Sequence, residues 1–134
     1  MTTTQRITPE VREQLEPGDL VKVNLNPVVG SETANYRPWM VISAQAVNAV
    51  SRTVTIMPIT HGSGKIMRLF PVLDASQNDA GIDGTIVLTQ MNSVDLVERE
   101  ALLVGKITDE AIISDVRLRL AAYLGITASL LDSE

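Results

Sequence analysis

Residues 30–43 read GSETANYRPWMVIS: small and polar residues with two isolated charges, Glu32 and Arg37, that pass through Arg37-Pro38 straight into an apolar run. The run PWMVIS is too short for a buried helix and predicts a central strand. The polar stretch before it predicts a loop, and loops held by a rigid sheet are where proteins tend to display their chemistry. Working outward, DLVKVNL (19–25) alternates, with Val21, Val23 and Leu25 on one face and Lys22 and Asn24 on the other, which predicts a half-buried strand. On the other side, AQAVNAV (44–50) predicts a short helical turn, and RTVTIMPIT (52–60) a β-branched strand with Pro58 at its end or on an edge.

Composition limits what this loop can serve. The chain has 134 residues and no cysteine, which fits one domain with its own core and excludes thiolate catalysis, disulfides and cysteine zinc sites. The opening residues are polar and charged, and no apolar run is long enough to cross a bilayer, so a soluble, cytoplasmic protein is expected. The formal net charge of −5 is unevenly divided: −1 over residues 1–16, +3 over 17–70 and −7 over 71–134. The loop lies in the segment with a positive balance, the kind a polyanion requires.

Further along, HGSG (61–64) reads as a turn and KIMRLFPVL (65–73) alternates, predicting a hairpin with the strand before it. DASQNDAGIDG (74–84) reads as a surface loop and TIVLTQM (85–91) as another strand. TDEAIISDVRLRLAAYLG (108–125) has a helical period, with Ile112, Ile113, Val116, Leu120, Tyr123 and Leu124 on one face, Thr108 as N-cap and Gly125 as the C′ residue. At the front, TPEVREQL (8–15) predicts a short helix with Pro9 at its first position. The sum is about five strands in a mostly antiparallel sheet or small barrel, closed by one long C-terminal helix.

Four segments in this order carry a resemblance. PGDLVKVNLNPVVGSETANYRPWMVIS (17–43), VTIMPIT (54–60), GTIVLTQMNSVD (84–95) and GKITDEAIISDVRLRLAAYLG (105–125) resemble the MazF/PemK (Kid) toxins of type II toxin–antitoxin systems. The resemblance implies a mostly-β, α+β fold: a small SH3-like antiparallel β-barrel of the CcdB/MazF kind with a long C-terminal helix. It sets residues 1–16 apart as an N-terminal extension and makes 17–134 the toxin domain. It also implies a sequence-specific, metal-independent endoribonuclease that uses no cofactor and acts as a homodimer on single-stranded RNA. A cognate antitoxin with a disordered acidic tail is the expected protein partner, since arginines that hold phosphate also accept carboxylates.

Cleavage without a metal can use the 2′-hydroxyl of RNA as nucleophile, leaving a 2′,3′-cyclic phosphate and a 5′-hydroxyl. The protein must then move protons and stabilise charge that develops on phosphorus oxygens. A guanidinium does the second task well, because its planar fork meets two oxygens and stays charged. By resemblance Arg37 is the catalytic arginine and Thr60 the threonine that bonds the scissile phosphate. Ser31, Glu32 and Asn35 in the loop, with His61, Thr89 and Gln90, are candidate substrate contacts, able to read base edges through hydrogen bonds. As the chain's one histidine, His61 is also a candidate acid or base. Trp39 and Tyr36 are candidates for stacking on bases, with sheet packing the other reading of Trp39. The chain departs from the Kid branch at Thr89, where that branch has an acid, at Val87, where it has arginine, and at Ser31, where it has histidine. Many members carry arginine or lysine at the position of Asn92. Two alternatives share the fold: a CcdB-like gyrase poison that is no nuclease, and a catalytically silent member that binds antitoxin.

Overall fold

A computed structural model describes residues 4–25, 36–62 and 64–129. In chain order the elements are β1 (Gln5–Arg6), α1 (Pro9–Arg12), β2 (Asp19–Val23), β3 (Arg37–Val41), α2 (Gln45–Asn48), β4 (Val54–Thr60), β5 (Val72–Leu73), β6 (Gly84–Ile86), β7 (Asn92–Val94), β8 (Leu102–Lys106) and α3 (Glu110–Tyr123), with 3₁₀ turns at Ile66–Leu69, Ala75–Gln77 and Leu88–Gln90. The strands form one antiparallel ladder in the order β1-β8-β2-β3-β4-β6-β5, and β7 pairs with the first half of β4. The mostly-β class with a C-terminal helix is as expected. The sheet, however, is open: among the described residues no pairing joins β1 to β5, so the barrel of the resemblance is not closed by hydrogen bonds. Eight strands replace the five expected because four of them, β1, β5, β6 and β7, are only two or three residues long and sit among turns.

β2, β3 and β4 are central, and their alternation feeds two apolar clusters. One face contributes Val21, Val23, Val41, Val54 and Ile56 to a cluster completed by Ile7, Leu15, Leu96 and Ala101. The other face contributes Leu20, Met40, Met57 and Ile59 to a cluster completed by Leu73, Ile86, Leu88 and Val116. The prolines mark where pairing changes. Pro38 has no N–H, and the β3–β4 ladder stops at the neighbouring pair Trp39↔Pro58. Pro58 accepts from Val87 N–H (2.9 Å) and cannot return the bond, at the point where β4 passes from β7 to β6. It therefore lies inside a central strand, two residues short of the end.

The alternation of residues 65–73 does not make the expected hairpin. Ile66–Leu69 is a 3₁₀ turn, in which residues three apart eclipse, so Met67 packs against the core and Phe70 is buried while Ile66, Arg68 and Leu69 face solvent. The short β5 after Pro71 then pairs with β6, not with β4. Residues 85–91 are likewise split: β6 ends at Ile86 and the chain turns through Leu88–Gln90 into β7. The loop 74–84 is tied down by Asn78, whose amide donates to the Ile82 carbonyl (2.7 Å) and accepts from the Ala80 and Ile82 N–H groups.

α1 starts as its sequence predicts, with Thr8 Oγ1 accepting from Val11 N–H and Pro9 at the first position. α3 starts one residue later than expected. Asp109 is the N-cap, its carboxylate accepting from Ala111 N–H (3.0 Å), and the N–H groups of both Thr108 and Asp109 donate to the Gln77 carbonyl (2.8 and 3.3 Å). Its inward face is Ile112, Ile113, Val116 and Leu120, while Tyr123 and Leu124 are exposed, so the buried stripe ends a turn early. Gly125, at φ +73°, ends the helix in the left-handed conformation that glycine tolerates.

Residues 4–16 are part of the same body. β1 pairs with β8, Ile7 N–H donates to the Ala101 carbonyl (3.0 Å), and Ile7 and Leu15 are each 1% exposed. Buried Asn48 at the end of α2 locks them in place: its amide donates to the Leu15 carbonyl (2.8 Å) and the Ser43 carbonyl (3.0 Å), and its own carbonyl side chain accepts from Ser43 Oγ (2.6 Å).

Candidate active site

Three strands end side by side at one border of the sheet. Val23 of β2 faces Arg37 of β3, and Thr60 of β4 faces Thr85 of β6. The β3–β4 register pairs Trp39 with Pro58 and Met40 with Met57, and the ladder ends at Trp39↔Pro58, two residues short of Arg37 on one strand and of Thr60 on the other. Residues facing each other across an antiparallel pair stand about 5 Å apart and point the same way. Arg37, Trp39 and Val41 thus share a face with Thr60, Pro58 and Ile56. Burial falls along that face from Val41 and Ile56, fully enclosed, through half-buried Trp39 to exposed Arg37 and Thr60. The apolar half anchors the strands, and the open half carries a guanidinium and a hydroxyl.

Arg37 has no ion-pair partner among the described residues. Its strand is held just ahead of it, where buried Tyr36 donates its hydroxyl to the Glu100 carbonyl (3.0 Å). That bond and that burial keep Tyr36 from stacking on a base. Trp39 packs against the first cluster, and its indole N–H is enclosed with no acceptor among the described residues. Ser31, Glu32 and Asn35 lie outside the described residues.

The remaining site residues gather around β4. Thr89 and Gln90 are exposed on the 3₁₀ turn that buried Leu88 pins down. That turn leaves the sheet after Val87, bonded to Pro58, and rejoins it at Asn92, opposite Ile56, so it stands beside the strand that ends in Thr60. His61 follows Thr60 directly, with Nε2 3.2 Å from Asp83 Oδ1 and both side chains mostly in solvent. Asp83 and Thr85 are neighbours of the site that the sequence does not flag, since only the pairing of β6 with the end of β4 brings them there. Among the described residues no group of three or more histidines, aspartates and glutamates is placed to hold a metal ion. No helix among them is long and apolar enough to cross a membrane. The carboxyl that burial pushes up lies elsewhere, at Asp19 at the start of β2, where the Glu16 backbone N–H partly offsets the cost of desolvation.

Residues 16–124 match the family model described as PemK-like, MazF-like toxin of type II toxin-antitoxin system. The chain belongs to this family. Within the PemK/MazF-like family it is 34% identical over 117 residues to the endoribonuclease toxin ChpB of Escherichia coli K12, covering 84% of this chain and 97% of ChpB. It is 28% identical over 117 residues to the endoribonuclease PemK of Escherichia coli, covering 84% of each. Of solved structures, a MazE-MazF crystal structure from Deinococcus radiodurans is similar at a TM-score of 0.68 and 25% identity, covering 85% of this chain and 99% of that one. MazF from the same organism gives 0.65 and 26%, covering 83% and 96%. The PemK/MazF-like match begins at Glu16, so β1 and α1 lie ahead of it.

Proposed function

We propose that this chain is the toxin of a toxin–antitoxin pair, a cytoplasmic endoribonuclease that cuts single-stranded RNA at a specific sequence without a metal ion. The observation that supports the reading is that Arg37 and Thr60 are exposed at the ends of adjacent strands, just beyond the last β3–β4 pair, with no acid among the described residues paired to the guanidinium. In this mechanism the 2′-oxygen attacks phosphorus in line with the departing 5′-oxygen. Arg37 holds two of the phosphate oxygens and stabilises the charge that grows on them, and the Thr60 hydroxyl donates to a third. Both groups stand on strand ends, so little reorganisation is needed as the reaction proceeds. Gln90 and Thr89 on the neighbouring turn contact bases or sugars, together with Ser31, Glu32 and Asn35.

Residues 17–134 make up the catalytic unit, and residues 1–16 an extension docked on it. The chain works as a homodimer, a reading supported by the exposed apolar side chains Ile66, Leu69 and Val72 around β5, the outer strand of the sheet. The antitoxin lays an acidic segment over Arg37 and so competes with RNA; the solved MazE-MazF relative supports a protein partner of this kind.

The test is incubation of purified protein with a long single-stranded RNA in EDTA. Defined fragments ending in 2′,3′-cyclic phosphate are expected, with Arg37→Ala slower by about 10²–10³-fold at an unchanged melting temperature. Intact RNA, or equal cutting by Arg37→Ala, rejects the proposal.

A further inference from the structure

In the proposed reaction Arg37 and Thr60 hold the phosphate, but neither is suited to giving up a proton at neutral pH. Arginine stays charged and does not act as an acid, and a threonine hydroxyl is far too weak. Yet the 5′-oxygen leaves as an alkoxide unless a proton reaches it, so the proposed reaction still needs a donor. His61 stands one residue beyond Thr60 and is the chain's one histidine, the side-chain type most often used for proton transfer in catalysis.

Its ring meets a carboxylate. Asp83, just ahead of β6, lies with Oδ1 3.2 Å from His61 Nε2, and β6 is the strand that pairs Thr85 with Thr60. A carboxylate facing Nε2 accepts that nitrogen's N–H and fixes the ring orientation, leaving Nδ1 as the nitrogen offered to a substrate. On the turn that follows β4 the charged side chains are Lys65 and Arg68, both exposed, and neither pairs with the ring or with Asp83 among the described residues.

We propose that His61, oriented by Asp83, is the general acid of RNA cleavage; this rests on the nuclease reading above. The protonated ring gives its Nδ1 proton to the 5′-oxygen as the P–O5′ bond breaks. The P–O2′ bond forms in the same displacement, and the 2′-hydroxyl proton passes to water. Asp83 is a positioning residue, which touches the ring and not the RNA.

The experiment compares two substrates: an RNA with an ordinary scissile linkage, and the same RNA with sulfur in place of the bridging 5′-oxygen, a leaving group that needs no proton. His61→Ala is expected to cut the ordinary linkage about 10²–10⁴-fold more slowly than wild type and the sulfur linkage within a few fold of it. Arg37→Ala should be slow on both. Asp83→Asn should lower kcat on the ordinary linkage and displace the alkaline limb of its pH–rate profile, leaving the sulfur linkage unaffected. His61→Ala equally impaired on both linkages, or on neither, overturns the acid role while the nuclease stands. A wild type that cuts neither overturns both. As a readout besides activity, the single histidine gives one set of imidazole NMR signals. A 2′-deoxy analogue of the cut sequence is expected to shift them in wild type, and unmoved signals count against the role.

Discussion

Single side chains separate what holds the molecule from what acts on a substrate. Asn48, wholly enclosed, satisfies the Leu15 and Ser43 carbonyls and ties three segments together. Asn48→Ala leaves both carbonyls unpaired and is expected to cost about 2–4 kcal/mol in urea unfolding, with kcat unchanged in the protein that remains folded. Asp19 and Asp74 give opposite responses to pH. Burial raises Asp19 above its ordinary 3.8, so its contribution to stability is greatest below that value and is lost as pH climbs through the raised one. Asp74 is lowered, first by the Ser76 hydroxyl, so its contribution is present above 3.8 and is lost on acidification through the lowered value. Asp19→Asn is therefore expected to remove a loss of stability that wild type shows on raising the pH above about 3.8, read from unfolding midpoints across the carboxylate range. Arg37 and Thr60 are candidates through the family resemblance of the segments around Pro38 and Pro58, not through any local signal of their own. Asp83 and Thr85 could not be picked, because nothing local in DGT distinguishes a site from a turn.

Elements were legible where one periodicity was unopposed. β2, β4 and α3 follow from alternation or from the 3.6-residue period over five or more residues, and β3 from an apolar run too short for a buried helix. The stretch 65–73 alternates too, but Pro71 breaks it and the 3.0-residue spacing of Met67 and Phe70 decides the outcome. β1, β5, β6 and β7 are too short to carry a pattern, and their existence depends on partners distant in the chain. One of them touches the site closely. Gly84, at φ +143°, lies so near β4 that a Cβ would meet the Thr60 carbonyl oxygen at 3.0 Å and Ile59 Cγ2 at 3.1 Å. Gly84→Ala is expected to strain its own backbone, push on the strand end that bears Thr60, and lower both the melting temperature and kcat. Full activity in a folded Gly84→Ala protein would mean that β6 does not position Thr60.

At the level of the whole molecule, the charge division reads differently once folded. The positively balanced segment supplies β3 and β4, the strands that present Arg37 and Thr60, while the acidic half supplies β5 to β8 and α3. The proposed dimer makes a separate prediction: Ile66, Leu69 and Val72 are 54%, 64% and 62% exposed around an outer strand, beside α3, where Arg119 donates to the Leu69 carbonyl (2.7 Å). Leu69→Lys is expected to move the mass measured by light scattering from two chains to one at micromolar concentration. A wild type that is already monomeric would dismiss this face as a dimer contact. No such surface can be recognised from sequence alone, since the same residues predict equally well as the inside of a strand.

The bond from Tyr36 to the Glu100 carbonyl has an evolutionary consequence. It clamps the chain one residue ahead of the guanidinium, to a part of the fold remote in sequence from residues 26–35. Changes in the stretch that precedes it need not disturb Arg37. On the proposed function, a descendant would acquire a new recognition word by rewriting that stretch, and grafting it between relatives should transfer the preference while leaving Arg37 in place.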